Sequence, residues 1–232
     1  MRIITIVQAR MSSVRLPGKV LAPLAGSCML SLLMSSLKRC RAIDDLVLAT
    51  SAEPPDAPLV AFAKQMQIPC ICGPLNDVAA RFFDAAKQCQ ADAFVRICGD
   101  SPLLDHRLVD QAVALYRKTS PSLVTNVLPR SFPRGCSVEV LNTSKFATVR
   151  EHMSSEDHRE HITSYYYDHP QSFHIEQFSA ENFWGDFQMS VDTAEDFLRV
   201  ERLLERLDRP HWEYGWLDLA TRMREMDQEA GC

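Results

Sequence analysis

Short apolar runs alternate with amphipathic segments along the first half of the chain. The five runs are continuous and bounded by turn residues, a pattern typical of buried parallel strands. They cover residues 3–7, 46–50, 68–72, 93–98 and 123–125. The alternation predicts βαβ units, in which helices cover both faces of a mainly parallel sheet. Ligands of such sheets bind where the carboxyl ends of the strands meet, so we expect functional residues in the loops that follow the strands.

Four segments between these strands carry apolar residues at helical spacing. Their sequences are SCMLSLLMSSLKRC from Ser27, APLVAFAKQM from Ala57, DVAARFFDAAKQCQ from Asp77 and HRLVDQAVALYRK from His106. In the first segment, Leu30, Leu33 and Leu37 share one face of the predicted helix. Ser27 is predicted to be its N-cap residue, because a serine hydroxyl can accept a hydrogen bond from a free backbone N–H of the first turn.

The second half of the chain has a different pattern, which predicts an inserted arm over the sheet at about residues 127–186. The arm would hold a helix in SSEDHREHITSYYYDHP that ends near Pro170, and an exposed, alternating strand in SFHIEQFSAENF. After it, FQMSVD predicts a short strand that ends at Asp192. Thr193 and Asp196 then form a capping-box pattern at the start of a helix. The apolar stripe of that helix consists of Phe197, Val200, Leu204 and Leu207.

The composition fits one globular domain over residues 1–232 and narrows the function classes. Of the 232 residues, 46% are hydrophobic, and single cores grow to roughly 250–300 residues. The net charge of −5 argues against a general nucleic-acid-binding surface. Neither a secretion signal nor an apolar run of the ~20 residues that span a bilayer is visible, so we expect a cytoplasmic protein with no membrane contact. The eight cysteines, Cys232 included, form no CxxC pair and are interpreted as free thiols.

Positive charge is concentrated directly after the first predicted strand, in IVQARMSSVRLPGKVL from Ile6. Arg10, Arg15 and Lys19 lie among small residues, which allow the backbone to approach an anion closely. Arginine can bind two phosphate oxygens at once, and lysine acts as a mobile point charge. The stretch matches neither a Walker loop nor a dinucleotide-binding GxGxxG motif. On composition alone, both phosphate binding and a solvated basic loop stay open.

Two aspartates follow later predicted strands at the same edge of the sheet. Asp100 follows residues 93–98 in VRICGDSPLLD, and Asp192 precedes a helix in MSVDTAED. Taken alone, either carboxylate could simply cap a turn or a helix. Together with the cationic loop they predict a clamp for Mg²⁺, which binds to one or two carboxylates, phosphate oxygens and water.

The predicted arm carries weaker candidates. His158 and His161 are spaced i, i+3, but the segment lacks the HExxH pattern of zinc enzymes. The favoured interpretation is a polar helix that faces the active site or a dimer partner. The tyrosines at 165–167 could stack on a ligand or pack the helix against the core. Arg130 and Arg134 each follow a proline on a loop, where they could bind an acceptor carboxylate or phosphate, or stay solvated.

The stretch QARMSSVRLPGKVL resembles the N-terminal signature of the cytidylyltransferases that activate acidic sugars, the CMP-Kdo and CMP-sialic acid synthetases. The chain is most similar to their relatives of the spore coat polysaccharide biosynthesis protein F type. RICGDSPLLD, SVEVL, REHIT and SVDTAEDF follow in the expected order, so the resemblance covers nearly the whole chain. It implies a nucleotide-diphospho-sugar transferase fold, which is an α/β, GT-A-like, Rossmann-type three-layer sandwich with a mainly parallel sheet.

The resemblance also implies roles for individual residues. The nucleotide would be bound by Ala9, Arg10, Ser12, Arg15, Lys19, Asn76, Asp77 and Arg81. Mg²⁺ would be held by Asp100 and Asp192, and catalysis would depend on Arg10, Arg15, Lys19 and Asp100. The acceptor would contact Arg134, Glu139, Arg159 and Glu160. The arm would form the contact of a homodimer. The acceptor itself stays open, because Gln8, Cys98 and Ser101 differ from the residues of the Kdo enzymes.

The expected activity is a Mg²⁺- and CTP-dependent transfer of a nucleotidyl group, with release of pyrophosphate, for polysaccharide biosynthesis. The acceptor would be an acidic sugar, a sugar phosphate or a related polar molecule. A glycosyltransferase that uses an NDP-sugar would suit the same fold, although neither Asp100 nor Asp192 belongs to the usual Asp-x-Asp motif. A non-catalytic nucleotide-binding homologue is the third class, and the presence of Lys19, Asp100 and Asp192 argues against it.

Overall fold

A computed structural model describes residues 1–230 and shows one large sheet between two layers of helices. The strands are β1 (Ile3–Gln8), β2 (Pro23–Leu24), β3 (Ser27–Cys28), β4 (Asp45–Ser51), β5 (Cys70–Gly73), β6 (Ala93–Cys98), β7 (Leu123–Thr125), β8 (Glu139–Asn142) and β9 (Ile175–Gln177). β2 and β3 form a small hairpin, and the other seven strands make one sheet in the order β5-β4-β1-β6-β8-β7-β9.

The pairing of these strands brings the predicted functional loops together. β5, β4, β1 and β6 run parallel, so their carboxyl ends meet at one edge of the sheet. β8 lies between β6 and β7 and runs antiparallel to both. β9 pairs in parallel with β7 at the far edge. The predicted α/β class with a mainly parallel sheet is confirmed.

The helices cover both faces of the sheet. They are α1 (Met29–Leu37), α2 (Ala57–Gln65), α3 (Val78–Gln88), α4 (His106–Thr119), α5 (Thr143–His152), α6 (Glu156–Glu160), α7 (Ser164–Asp168), α8 (Ala194–Glu205) and α9 (Trp216–Ala230), with 3₁₀ turns at Lys19–Leu21, Pro54–Asp56, Pro170–Ser172 and His211–Glu213. α1, α2, α4, α8 and α9 pack on one face around Leu33 and Met223, and α3, α5 and α7 pack on the other around Phe82 and Phe146. None of these helices is both long and apolar enough to cross a bilayer.

The five predicted strands are confirmed, because β1, β4, β5, β6 and β7 lie within about two residues of the predicted ranges. The four predicted helices are present as α1 to α4. The prediction that Ser27 caps α1 is wrong. Ser27 pairs with Leu24 in the β2–β3 hairpin, so Cys28 takes the N-cap position and makes no side-chain hydrogen bond there.

The segment predicted as an arm is largely built into the sheet. It contributes β8 and β9, and α5 packs against the core between them in sequence. Its two ends are tied together, since Arg134 N donates to Phe187 O at 2.9 Å and Trp184 N donates to Ser131 O at 2.8 Å. The single helix predicted up to Pro170 is also wrong, because the chain turns at residues 161–163 and forms α6 and α7 instead. That turn buries Ile162 completely.

The strand predicted to end at Asp192 does not form. Residues 187–192 run as a loop, with an isolated bridge between Gln188 and Arg134. The predicted capping box of α8 is confirmed: Asp196 N donates to Thr193 Oγ1 at 3.2 Å, and Thr193 N donates to an Asp196 carboxylate oxygen at 2.8 Å. Asp192 is therefore held directly in front of a well-fixed helix start.

Gly135 lies close to the backbone of Met189 and Ser190, and its replacement by alanine should be strongly destabilising. Its φ is +97°, and a Cβ atom there would lie 2.6 Å from Ser190 N and 2.8 Å from Met189 C. We expect Gly135→Ala to lower the free energy of unfolding by about 3 kcal/mol in equilibrium urea denaturation, from backbone strain plus overpacking. Gly26→Ala is the matched control, because Gly26 has a φ of +77° and nothing within 4 Å of the added Cβ. Equal losses for the two variants would contradict the close contact as the main cause.

Candidate active site

The cationic loop after β1 is held by hydrogen bonds from its backbone. Ala9 N donates to Ala49 O at 3.1 Å, and Gly18 N closes the loop by donating to Met11 O at 2.9 Å. Met11 N donates to a carboxylate oxygen of Asp56 at 2.7 Å, and the other oxygen of Asp56 accepts from the Ser51 backbone and hydroxyl. Asp56 is buried and was not singled out from the sequence. It ties the loop to the carboxyl end of β4.

Asp100 lies at the same edge of the sheet, directly beyond β6. Gly99 N donates to Gln8 O at 2.8 Å, which joins the ends of β1 and β6. Val191 N donates to Asp100 O, also at 2.8 Å, and this bond brings the loop before α8 onto the end of β6. Asp192 therefore reaches the site through a loop and a backbone hydrogen bond, although the predicted strand is absent.

Lys19 is the centre of the charge cluster formed by these elements. Its side chain is 8% exposed, and its Nζ donates to Val191 O at 2.5 Å. The same Nζ lies 3.4 Å from Asp192 Oδ1 and 3.8 Å from Asp100 Oδ2. Arg15, which is largely exposed, reaches Asp192 Oδ1 with Nη2 at 2.7 Å. The structure thus brings together both predicted metal ligands and two of the predicted phosphate-binding cations.

The two aspartates fit a divalent cation that is shared with phosphate oxygens. Burial raises the pKa of Asp100, the nearby Asp192 raises it further, and Lys19 lowers it. Such a pair of close carboxylates is what a divalent cation would stabilise, because the cation relieves their repulsion. Within residues 1–230 no group of three or more histidine, cysteine, aspartate or glutamate side chains converges as a metal site. A divalent cation held by Asp100 and Asp192 would therefore need further oxygen ligands from substrate or water, which Mg²⁺ commonly uses.

A cavity of about 310 Å³ opens beside this cluster. We call it the nucleotide compartment because most of the residues predicted to bind nucleotide line it. Of the residues predicted to bind nucleotide or metal, its lining includes Ala9, Arg10, Arg15, Lys19, Arg81, Asp100 and Asp192. Ser12 is exposed and does not line the compartment, whereas its neighbour Ser13 does. Asn76 is exposed, and Asp77 accepts from Ala80 N at 2.7 Å as the N-cap of α3. Neither Asn76 nor Asp77 lines the compartment.

A second cavity of about 320 Å³ adjoins the first. We call it the acceptor compartment because two of the four residues predicted to contact the acceptor line it. The two share the side chains of Arg96, Cys98, Asp100 and His161. Of the predicted acceptor residues, Arg134 and Glu139 line the acceptor compartment, together with Arg130. Glu160 lines the nucleotide compartment instead, and the exposed Arg159 lines neither.

Arg96 is a site residue that the sequence analysis missed. It is paired with Glu139 across β6 and β8, and Arg96 Nη1 donates to Glu139 Oε2 at 2.6 Å. The other oxygen of the buried Glu139 accepts from the Tyr167 hydroxyl, which also contacts Thr125 Oγ1 at 2.8 Å. Burial and the charge of Glu139 raise the pKa of Tyr167, so its hydroxyl stays protonated. This series of hydrogen bonds, from Thr125 through Tyr167 and Glu139, holds Arg96 in the wall between the two compartments.

Other residues of interest have structural surroundings. His158 Nε2 lies 2.9 Å from a carboxylate oxygen of Asp168 and packs edge-on against Tyr165, which joins α6 to α7. Burial raises the pKa of Cys98 to about 11, so it presents a neutral thiol to both compartments. The cysteines of residues 1–230 are free thiols, and Cys232 lies outside the described residues.

Comparisons with known proteins place this geometry in a family. The spore coat polysaccharide biosynthesis protein SpsF of Bacillus subtilis is 30% identical over 216 residues, which cover 90% of this chain and 89% of that protein. A cytidylyltransferase structure from Leptospira borgpetersenii has a TM-score of 0.92 at 27% identity, covering 98% of this chain and 96% of that one. A CMP:2-keto-3-deoxy-manno-octonic acid synthetase solved with CTP shares the fold, with a TM-score of 0.69 at 15% identity and coverage of 89% and 99%. Because the cytidylyltransferase family profile matches residues 4–220, the chain belongs to the cytidylyltransferase family and is a nucleotidyltransferase.

Proposed function

We propose that this protein transfers the CMP group of CTP to a hydroxyl of an acidic sugar or sugar phosphate, with Mg²⁺ and with release of pyrophosphate. The observation that carries the proposal is the convergence of Lys19, Asp100 and Asp192 at the junction of two cavities. One cavity has the charges for a triphosphate and its metal. The other cavity, which Asp100 also lines, has room for a second polar substrate.

In this proposal the oxygen of the acceptor hydroxyl bonds to the α-phosphorus while the bond from that phosphorus to pyrophosphate breaks, and the hydroxyl proton is released to water. Lys19 and Arg15 neutralise the phosphate oxygens. Before the substrate arrives, Val191 O holds the Lys19 ammonium, and an ion pair with Asp192 holds Arg15. Asp100 and Asp192 would hold Mg²⁺, which supplies charge neutralisation and orientation of the phosphates when it is bound. Positioning and electrostatics then account for most of the rate, and no covalent intermediate with the protein is needed.

The acceptor compartment supports an anionic acceptor. Arg130 and Arg134 line it, and Arg130 Nη1 donates to Ser137 Oγ at 3.1 Å. The buried Glu139 is paired with Arg96, so its negative charge is largely compensated. A carboxylate or phosphate on the acceptor would be favoured by the two remaining arginines. The name of the fold relative solved with CTP, which acts on 2-keto-3-deoxy-manno-octonic acid, is consistent with this charge.

The test is a pyrophosphate-release assay with each of the four ribonucleoside triphosphates, with and without a panel of acidic sugars, sugar phosphates and neutral sugars. We expect release with CTP and at least one anionic acceptor. Consumption of a UDP-sugar without pyrophosphate release would instead identify a glycosyltransferase. Tight CTP binding without turnover on the whole panel would favour a non-catalytic homologue.

Tyr167→Phe should weaken the acceptor site while leaving nucleotide binding intact. The change removes the hydroxyl that donates to Glu139, so Arg96 loses part of its support. With the acceptor that the panel identifies, we expect its KM to rise about tenfold. This corresponds to the loss of one hydrogen bond to a charged group. The Kd of CTP, measured by calorimetry, should stay within about twofold. Tyr165→Phe is the control on the same helix, and an unchanged acceptor KM in Tyr167→Phe would contradict the proposed support of Arg96.

We also propose that the protein works as a homodimer in the cytoplasm. The segment 127–186 carries two exposed apolar side chains, Leu128 at 41% and Phe183 at 68% exposure, which would suit a contact between copies. Light scattering of the purified protein measures the mass directly. A monomer at all concentrations used for activity would contradict the dimer.

A further inference from the structure

Glu160 has an unexpected place in the nucleotide compartment. It is a carboxylate in a cavity whose other task is to bind a highly anionic triphosphate. Its side chain is only one-third exposed, and its Oε1 lies 3.0 Å from Arg10 Nη2. A second contact joins Arg10 Nη1 to Glu160 Oε2 at 3.5 Å. A negative charge so close to a predicted phosphate-binding arginine needs an explanation.

Glu160 belongs to a different charge cluster from the metal site. The ion pairs of Asp100 and Asp192 are with Lys19 and Arg15, at the end of the compartment where α8 begins. Glu160 is paired with Arg10 and comes from α6, which packs against α3 on the other side. The compartment therefore has a metal and phosphate end, and a second end with one carboxylate among arginines.

Arg81 marks this second end as a prepared binding surface. Arg81 Nη1 donates to Pro74 O at 2.5 Å and to Leu75 O at 2.8 Å, which fixes the loop before α3. Burial lowers the pKa of Arg81, and the nearby Glu160 opposes that shift. Arg81 Nε and Gln8 Oε1 are buried in the lining of the compartment and have no hydrogen-bond partner among the described residues. Buried polar atoms without partners are rare and costly, so a ligand is expected to supply the missing contacts.

We propose that Glu160 recognises the nucleoside half of the bound nucleotide by accepting hydrogen bonds from it. A carboxylate repels phosphate, and the groups of CTP that can donate to it are the ribose hydroxyls and the exocyclic amino group of cytosine. Arg10 holds the carboxylate in place and compensates its charge until the nucleoside arrives. This inference rests on the proposed function, because it assumes that a nucleoside triphosphate occupies this compartment.

The recognition by Glu160 explains why one compartment combines opposite charges. At the metal end, binding depends on charge and would be similar for any triphosphate. At the Glu160 end, a carboxylate flanked by arginines offers an acceptor next to several donors, which matches the donor and acceptors on the edge of a cytosine or on a ribose. Uracil has a carbonyl in place of the amino group and would meet the carboxylate with like partial charge.

The test compares binding of CTP, 2′-deoxy-CTP, 3′-deoxy-CTP, UTP and inorganic tripolyphosphate to the wild-type protein and to Glu160→Gln by calorimetry with Mg²⁺. We expect Glu160→Gln to weaken CTP binding about tenfold or more, which is typical of a lost charged hydrogen bond. Tripolyphosphate should bind as well as before or more tightly, since a negative charge has been removed. The wild-type preference for CTP over one of the analogues should also largely disappear, and that analogue identifies the contacted group as a ribose hydroxyl or the amino group.

One control variant and two contrary results make the test decisive. Glu156→Gln changes an exposed glutamate of the same short helix and should leave all five affinities unchanged. Tighter binding of both CTP and tripolyphosphate to Glu160→Gln would show that Glu160 is only a counter-ion of Arg10, which would overturn the inference. Full retention of every wild-type preference in Glu160→Gln would also overturn it. If no nucleoside triphosphate bound to the wild-type protein more tightly than tripolyphosphate does, the proposed function itself would fall.

Discussion

Replacing Asp100 by asparagine is expected to lower kcat by about a hundredfold to a thousandfold at saturating Mg²⁺, the range seen when one preorganised electrostatic contact is lost. Asp100 is the carboxylate that β6 delivers next to Lys19 and Asp192, so its loss removes half of the proposed metal clamp. Asparagine keeps the shape of the side chain and removes its charge. Steady-state pyrophosphate release with CTP and the identified acceptor measures the effect.

The same Asp100→Asn variant should fold at least as stably as the wild-type protein. Burial raises the pKa of Asp100 in the folded state, so at neutral pH its ionised carboxylate costs stability relative to the unfolded chain. Removal of that charge should leave the urea midpoint unchanged or higher. Asp186→Asn, at an exposed aspartate outside both compartments, is the control. Near-wild-type turnover of Asp100→Asn at saturating Mg²⁺ would contradict the metal assignment.

Lys19→Gln is expected to lower kcat/KM for CTP by about a hundredfold. The Nζ of Lys19 lies between the two aspartates and is fixed by Val191 O, so it is ready to neutralise phosphate charge without rearrangement. Glutamine can keep a hydrogen bond to the backbone while the positive charge is lost. Lys19→Arg should recover only part of the activity, because the larger guanidinium must fit a buried position.

A matched lysine outside both compartments controls for the loss of a charged donor to a backbone carbonyl. Lys38 Nζ donates to Met66 O at 2.9 Å, and the exposed Lys38 lines neither compartment. Lys38→Gln should leave kcat/KM unchanged and serves as the control for Lys19→Gln. A Lys19→Gln variant with unchanged kcat and KM, even if less stable, would show that Lys19 only anchors the loop before α8.

The framework of the site could be predicted because it follows from strand ends. β1 and β6 are largely buried on both faces, so they are mainly apolar runs in the sequence. Their parallel direction places the loops after them at one edge, and this is why Lys19 and Asp100 were expected close together. Asp192 was expected there for a partly wrong reason, since it arrives through a loop held by the bond from Val191 N to Asp100 O.

The role of Arg96 could not be predicted, because it depends on which strands are neighbours. Arg96 and Glu139 are 43 positions apart in the sequence, and they meet because β8 is inserted antiparallel beside β6. The pattern of residues 139–142 shows that a strand forms but does not select its partners. The available signal for this pair is one isolated charge in each of two apolar strands, positive in β6 and negative in β8. The same limit explains why the segment 127–186 was interpreted as an arm rather than as part of the sheet.

The most direct test of the central claim is a crystal structure of the protein soaked with CTP and Mg²⁺. We predict that the triphosphate lies in the nucleotide compartment against Lys19 and Arg15, with a metal ion between Asp100, Asp192 and phosphate oxygens. The α-phosphate should face the acceptor compartment beside Arg96. A triphosphate bound elsewhere, or one bound there with its α-phosphate turned away from the acceptor compartment, would contradict the account.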